Sequence, residues 1–205
     1  TSFEMLFDRF GIAESSGKGK SLLVIGGAGG VGSLTIQLAR KLTDLTVIAT
    51  ASRPETAEWC REMGAHEIVD HRDLVAEVQG KGFETVEYIA NYADTSQHWD
   101  AMSTLVAPQG KLGCIVETDD LIDVTSLQGK SASLHWELMF TRSMFGTDDV
   151  ARQHDILNRI ADLVESGDIR STLRQTLNGF SADVLKDGHR IIETGQVFGK
   201  LVIEY

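Results

Sequence analysis

The sequence predicts an α/β fold: a doubly wound parallel sheet covered by helices on both faces. Three observations carry that expectation. Short apolar runs rich in β-branched residues alternate with segments of helical spacing along nearly the whole chain. The first run, Ser21-Leu22-Leu23-Val24-Ile25, leads at once into a glycine cluster, Gly26 to Gly32, and then into an amphipathic segment. A second apolar run, Thr46–Thr50, follows at the distance that one crossover helix requires.

Taken in order, Phe3, Leu6, Phe7 and Phe10 have helical spacing, and Gly11 with the Ser15–Lys20 loop ends that segment. The first strand is placed at 21–26. The helix after it puts Val31, Leu34, Thr35, Leu38 and Leu42 on one face. Thr46–Thr50 is the second strand. Pro54 suits the first turn of the next helix and Gly64 its end. Short strands are expected at Glu67–Val69, Thr85–Ala90 and Lys111–Val116. A helix around Ser96–Val106 lies between the last two, stopped by Pro108 and Gly110.

After residue 130 the pattern changes. Ser131–Phe140 alternates, with Leu134, Trp136, Leu138 and Phe140 on one side and His135, Glu137 and Met139 on the other, as a sheet-edge strand would. A long helix, Asp148–Glu165, is expected between a Thr147 cap and Gly167. Strand Leu173–Leu177, helix Ser181–Thr194 and strand Lys200–Glu204 close the chain.

Composition narrows the classes of function. A chain of 205 residues can bury one sizeable core, with room for a small appendage. Nineteen basic against thirty acidic residues give a net charge of −11, which argues against nucleic acid and anionic membranes as partners. Neither a membrane-length apolar run nor a secretory signal is visible. Cys60 and Cys114 lie far apart and read as core thiols, in keeping with a reducing cytoplasm. The chain opens Thr1-Ser2-Phe3, and the expectation is a processed product or a part of a larger protein.

The glycine cluster carries the chemistry. Gly27, Gly29 and Gly32 satisfy G-x-G-x-x-G between a strand and a helix, the dinucleotide-binding fingerprint of the Rossmann fold. In that reading Gly27 makes the turn out of the strand, Gly29 admits a pyrophosphate to the backbone, and Gly32 lets the helix pack on the strand. The free N–H groups and positive dipole end of that helix then face the phosphates. At the end of the second strand, an acidic residue would hold an unphosphorylated ribose. Here Thr50-Ala51-Ser52-Arg53 offers a hydroxyl and a guanidinium instead, which favours a 2′-phosphate and therefore NADP(H).

Rival glycine motifs fail. Gly19-Lys20-Ser21 has the tail of a P-loop, but Glu14 stands where its first glycine belongs. Gly26, Gly30 and Gly32 also fit the short-chain dehydrogenase pattern. Neither Tyr88 nor Tyr92 has the lysine four residues on that an active enzyme of that kind needs.

With these residues in view, the chain resembles the medium-chain dehydrogenase/reductase superfamily, in its zinc-type alcohol dehydrogenase-like and quinone oxidoreductase branch. The resemblance rests on Val24 to Gly32 with Ile36-Gln37-Leu38-Ala39-Arg40, on Val47 to Ser52, and on Met63-Gly64-Ala65-His66-Glu67-Ile68-Val69-Asp70-His71. Leu105 to Lys111, His135 to Phe140 and Gly199 to Glu204 extend it over essentially the whole chain. It implies an NADP(H)-binding Rossmann domain over residues 1–170. Residues 171–205 would return to an N-terminal GroES-like catalytic domain to which nothing here corresponds.

The resemblance also implies roles. Gly27, Ala28, Gly29, Gly30 and Val31 would meet the pyrophosphate, and Ser52 and Arg53 the 2′-phosphate. His71, where many relatives carry tyrosine, falls near the adenosine. Asn91 would approach the ribose or nicotinamide, and Ile115 and Val116 the nicotinamide. No zinc spacing links the six histidines or the two cysteines, and no catalytic residue is assigned. The whole protein would pass hydride between nicotinamide and a small-molecule carbonyl or activated alkene. It would be a homodimer paired through the 131–140 edge strand. The alternative is a nucleotide-sensing or dimerisation module that uses the fold without redox chemistry.

Overall fold

The central strand, β1 (Ser21–Ile25), is buried along its whole length because both of its faces are covered. The computed structural model that shows this describes residues 1–205. Six parallel strands form one sheet in the order β3-β2-β1-β4-β5-β6, the others being β2 (Thr46–Thr50), β3 (Glu67–Val69), β4 (Val86–Asn91), β5 (Val106–Cys114) and β6 (Ser133–Trp136). Strand order reverses between β1 and β4. The crevice beyond their carboxyl ends is where ligands of doubly wound sheets bind.

Period-two alternation splits the strand residues between two cores. Leu22, Val24, Val47 and Ala49 pack with α1 (Gly30–Leu42), α2 (Pro54–Glu62), α6 (Arg152–Glu165) and the opening π-helical segment Glu4–Arg9. Leu23, Ile25, Ile48 and Ile89 pack with α3 (Leu74–Gly80) and α4 (Thr95–Leu105). Beyond the sheet, β7 (Leu173–Asn178), α7 (Ala182–Glu193) and β8 (Lys200–Glu204) form a separate two-stranded parallel unit. No helix is long and apolar enough to cross a membrane.

Several boundaries differ from expectation, each for a physical reason. The strand expected at Lys111–Val116 begins at Val106, because Pro108-Gln109-Gly110 bulges out of the ladder and pairing resumes at Lys111. Gln109 takes a φ of +62° there. The edge strand expected over Ser131–Phe140 stops at Trp136. Past it, the Glu137 N–H still donates to the Cys114 carbonyl at 3.0 Å, and the Thr141 N–H then closes a turn on the Leu138 carbonyl at 3.0 Å. Helix α6 starts at Arg152 rather than Asp148, since Val150 and Arg152 donate to carbonyls only three residues back. Helix α1 is buried beyond its expected face, with Ile36, Gln37 and Ala39 also enclosed.

A buried ion cluster ties the N-terminal segment to the chain after β6. Arg142, on the short helix α5 (Thr141–Phe145), donates from Nη2 to Asp8 at 2.9 Å and from Nε to Asp149 at 2.9 Å, and its Nη1 pairs with Glu4. Arg9 Nε donates to buried Glu137 at 2.6 Å. Truncating Arg142 would leave buried Glu4 without its main counter-charge, while Asp8 would keep only Arg152, at 3.3 Å. Arg142→Ala is therefore expected to cost about 3–5 kcal/mol. In a thermal melt that is a midpoint lower by roughly 10 °C.

Candidate functional site

The end of β1 shapes the site. Gly26 turns the chain with φ +78°, and its N–H donates to the Thr50 hydroxyl at 3.0 Å. The turn thus belongs to Gly26 and not to Gly27. A Cβ on Gly27 would lie 2.9 Å from the Ala49 Cβ and 3.3 Å from Cys60 Sγ, so Gly27 is needed for close packing beneath the loop. Gly32 has the packing role expected of it. A Cβ there would lie 2.8 Å from both the Cα and the carbonyl oxygen of Gly27. Ser33 holds the loop from below, donating to the Ala28 carbonyl at 3.3 Å and accepting from Trp59 Nε1 at 2.8 Å.

Above the loop lies a cavity of about 470 Å³. Five of the expected site residues line it: Ala28, Gly29, Ser52, Arg53 and His71. Gly27 is buried below it. Gly30 opens α1 under the Lys200 side chain, whose Nζ would stand 3.0 Å from a Cβ at Gly30. Val31 follows in α1, its carbonyl accepting from Ser2 Oγ at 3.0 Å.

Asn91, Ile115 and Val116 gather instead at the ends of β4 and β5, outside that lining. Asn91 is fully buried, and its side-chain oxygen accepts from the Ala93 N–H at 3.1 Å. Ile115 packs against the first core, and the Val116 carbonyl accepts from Thr95 Oγ1 at 2.5 Å.

Contributions from the distant C-terminus were invisible to spacing arguments. Gly195, Gln196 and Val197 wall the cavity, and the Gly199 N–H donates to the Ala28 carbonyl at 2.8 Å. Arg53 Nη2 donates to the Gln196 carbonyl at 2.8 Å, while its Nε is 3.5 Å from the exposed Glu55 carboxylate. His98, from α4, also lines the cavity, and its ring meets that of His71 edge-on with centroids 6.0 Å apart. Burial, then the charge of His71, hold His98 below the usual histidine range, against the opposing pull of Asp94.

The open glycine loop, the N-terminus of α1 and a basic rather than acidic β2 end suit a dinucleotide. The same residues do not suit zinc. Both thiols are buried, on opposite faces of the sheet, and burial pushes Cys60 up to about 12. No three histidine, cysteine or carboxylate side chains converge as a ligand set.

Comparison with known proteins agrees with this architecture. The family model for zinc-binding dehydrogenases matches residues 63–203. A zinc-type alcohol dehydrogenase-like protein of Staphylococcus epidermidis is 41% identical over 206 residues, covering 99% of this chain and 61% of that protein. A crystal structure from Rhizobium etli, described as a candidate zinc-dependent alcohol dehydrogenase, superposes with a TM-score of 0.91 at 42% identity, over 100% of this chain and 60% of that one. A mycobacterial protein complexed with NADPH shares the fold, with a TM-score of 0.79 at 22% identity over 98% of this chain and 60% of that one. The chain thus spans about 61% of the length of the curated relative.

The Gly32 contact is testable. Gly32→Ala must push α1 off the glycine turn, since the atoms it meets are backbone. Overpacking of this kind costs about 1–3 kcal/mol. The expected signature is a lower melting point together with loss of dinucleotide binding by titration calorimetry.

Proposed function

The chain belongs to the zinc-binding dehydrogenase family, and from that premise we propose that it is the NADP(H)-binding part of an oxidoreductase. The observation that carries the reading is the cavity itself. A glycine turn and the N-terminus of α1 open into it, and Ser52 and Arg53 stand at the end of β2 where an acid would select an unphosphorylated ribose. The backbone of Ala28 and Gly29 would hold the pyrophosphate, with Lys200 adding a cation beside Gly30. Arg53 and Ser52 would take the 2′-phosphate through charge-assisted hydrogen bonds. His71 would face the adenosine.

The nicotinamide supplies the hydride chemistry; these residues bind it, orient it and shelter it from water. In the whole protein the acceptor would be a carbonyl or an activated alkene. Residues 171–205 would serve a second, catalytic domain. Two unpaired thiols suit a reducing cytoplasm.

A second copy of the chain is the proposed partner. Strand β6 has a neighbour only on the β5 side, and Trp136, Leu138, Met139 and Phe140 beside it are exposed. Unpaired edges flanked by apolar side chains favour continuation of the sheet into another subunit. Sedimentation at micromolar concentration should show a dimer; a monomer would count against that partner.

The cofactor is tested by a thermal-shift titration with NADPH and, separately, NADH. Ligand at about a hundred times its dissociation constant adds roughly 2.7 kcal/mol. For a chain of this size that is a rise of about 5–10 °C. The rise should come with NADPH and vanish in Arg53→Glu. Equal shifts with both nucleotides would refute the 2′-phosphate reading, and no shift with either would favour a module without redox chemistry.

A further inference from the structure

Two imidazoles form the wall between the nucleotide cavity and a neighbouring groove. His71, His98 and Gln97 line both the cavity of about 470 Å³ and an adjoining space of about 410 Å³ over α3 and α4. His98 is 4% exposed and the His71 side chain 34%, and neither ring has a hydrogen-bond partner in the protein. Both line the cavity that Arg53 and Ser52 also line.

The charges around the pair leave it available. Asp70 Oδ1 is 3.9 Å from His71 Nδ1, but both Asp70 oxygens accept from Arg72 Nε at 3.0 Å. Asp94, at the start of α4, accepts from the Gln97 N–H at 2.8 Å and from Ser96 Oγ at 2.8 Å. Asp73 and Asp100 line the adjoining groove rather than the cavity. At the cap of α2, Arg53 adds a positive charge across the cavity. The C-terminal wall of Gly195, Gln196 and Val197 adds none.

We propose that His98, acting with His71, is a specificity residue that binds the adenosine 2′-phosphate in its imidazolium form, so that preference for NADPH over NADH rises as pH falls. The proposal rests on reading the cavity as a dinucleotide site. The sign follows from the geometry. With the cavity open to water, burial and a neighbouring imidazole favour neutral His98. A phosphate dianion against the ring favours the cation, so binding takes up a proton and tightens with acid. The phosphate's own second ionisation, near pH 6, sets the lower end of the window.

The test is the dissociation constant of NADPH and of NADH between pH 6.5 and 8.5, with proton uptake read calorimetrically in two buffers of different ionisation enthalpy. One proton taken up gives at most about a tenfold change per pH unit. NADPH should bind roughly tenfold more tightly at the acid end, with net proton uptake, while NADH changes by less than about twofold. His98→Asn should lose the pH slope and still bind NADPH at pH 8.5, whereas His189→Asn on exposed α7 keeps it. Proton uptake by the unsubstituted protein supports the idea even if the His98 variant does not fold. A pH-independent NADPH-to-NADH ratio, or a slope that survives in His98→Asn, overturns the proposal and leaves the cofactor reading standing. Binding of neither nucleotide at any pH overturns both.

Discussion

Everything at the site depends on how closely α1 approaches the turn that ends β1. Gly32 has no side chain to hold the helix away from Gly27, so the first turn of α1 rests directly on the loop backbone. That contact fixes where the unsatisfied N–H groups of the helix point, and hence where an anion is stabilised. Ser33 and Trp59 brace it from below through a hydrogen-bond relay. The C-terminal segment docks on the same loop from above, through Gly199 and Ala28. A shift of α1 would disturb both layers at once.

Charge is distributed unevenly around this constraint. The molecule carries a net −11, which repels polyanions at a distance. Within the cavity the balance reverses: Arg53 lines it, and no carboxylate does. Aspartates next to it are occupied elsewhere, Asp70 by Arg72 and Asp94 by the start of α4. A small anion therefore meets a local field of the sign opposite to the global one. Long-range repulsion is screened within about 8–10 Å at ordinary ionic strength, so the local field decides binding.

Much of the fold was legible because its signals are local. Strands β1 and β2 are apolar runs bounded by turn residues, and Pro54 and Gly64 bracket α2 as expected. Legibility failed where a distant contact overrode a local pattern. Alternation through Phe140 suggested a longer edge strand, but the chain turns after Trp136 around Glu137, which is fixed by Arg9 from the other end of the sequence. The glycine fingerprint located the loop and misplaced its turn by one residue, because the motif spacing does not say which glycine needs positive φ. Ser52 and Arg53 could be read from their position after a strand, and His71 from the family resemblance. His98, Gln196 and Lys200 could not, since nothing in their own neighbourhoods announces that the fold brings them to that loop.

On the proposed reading, Arg53 would make the cavity suited to a phosphate rather than merely tolerant of one. Its partners in the structure are a neutral carbonyl, that of Gln196, and the Glu55 carboxylate at 3.5 Å, which is exposed. An exposed pair of that kind is worth at most about 1 kcal/mol, so most of the guanidinium's attraction is unspent. A guanidinium also presents several donors in a plane, and the carbonyl occupies only one direction. Two-point recognition of a phosphate could then proceed while the Gln196 contact persists. On that argument the C-terminal segment is a scaffold that aims Arg53 across the cavity, and pre-aimed donors lose less freedom on binding than mobile ones.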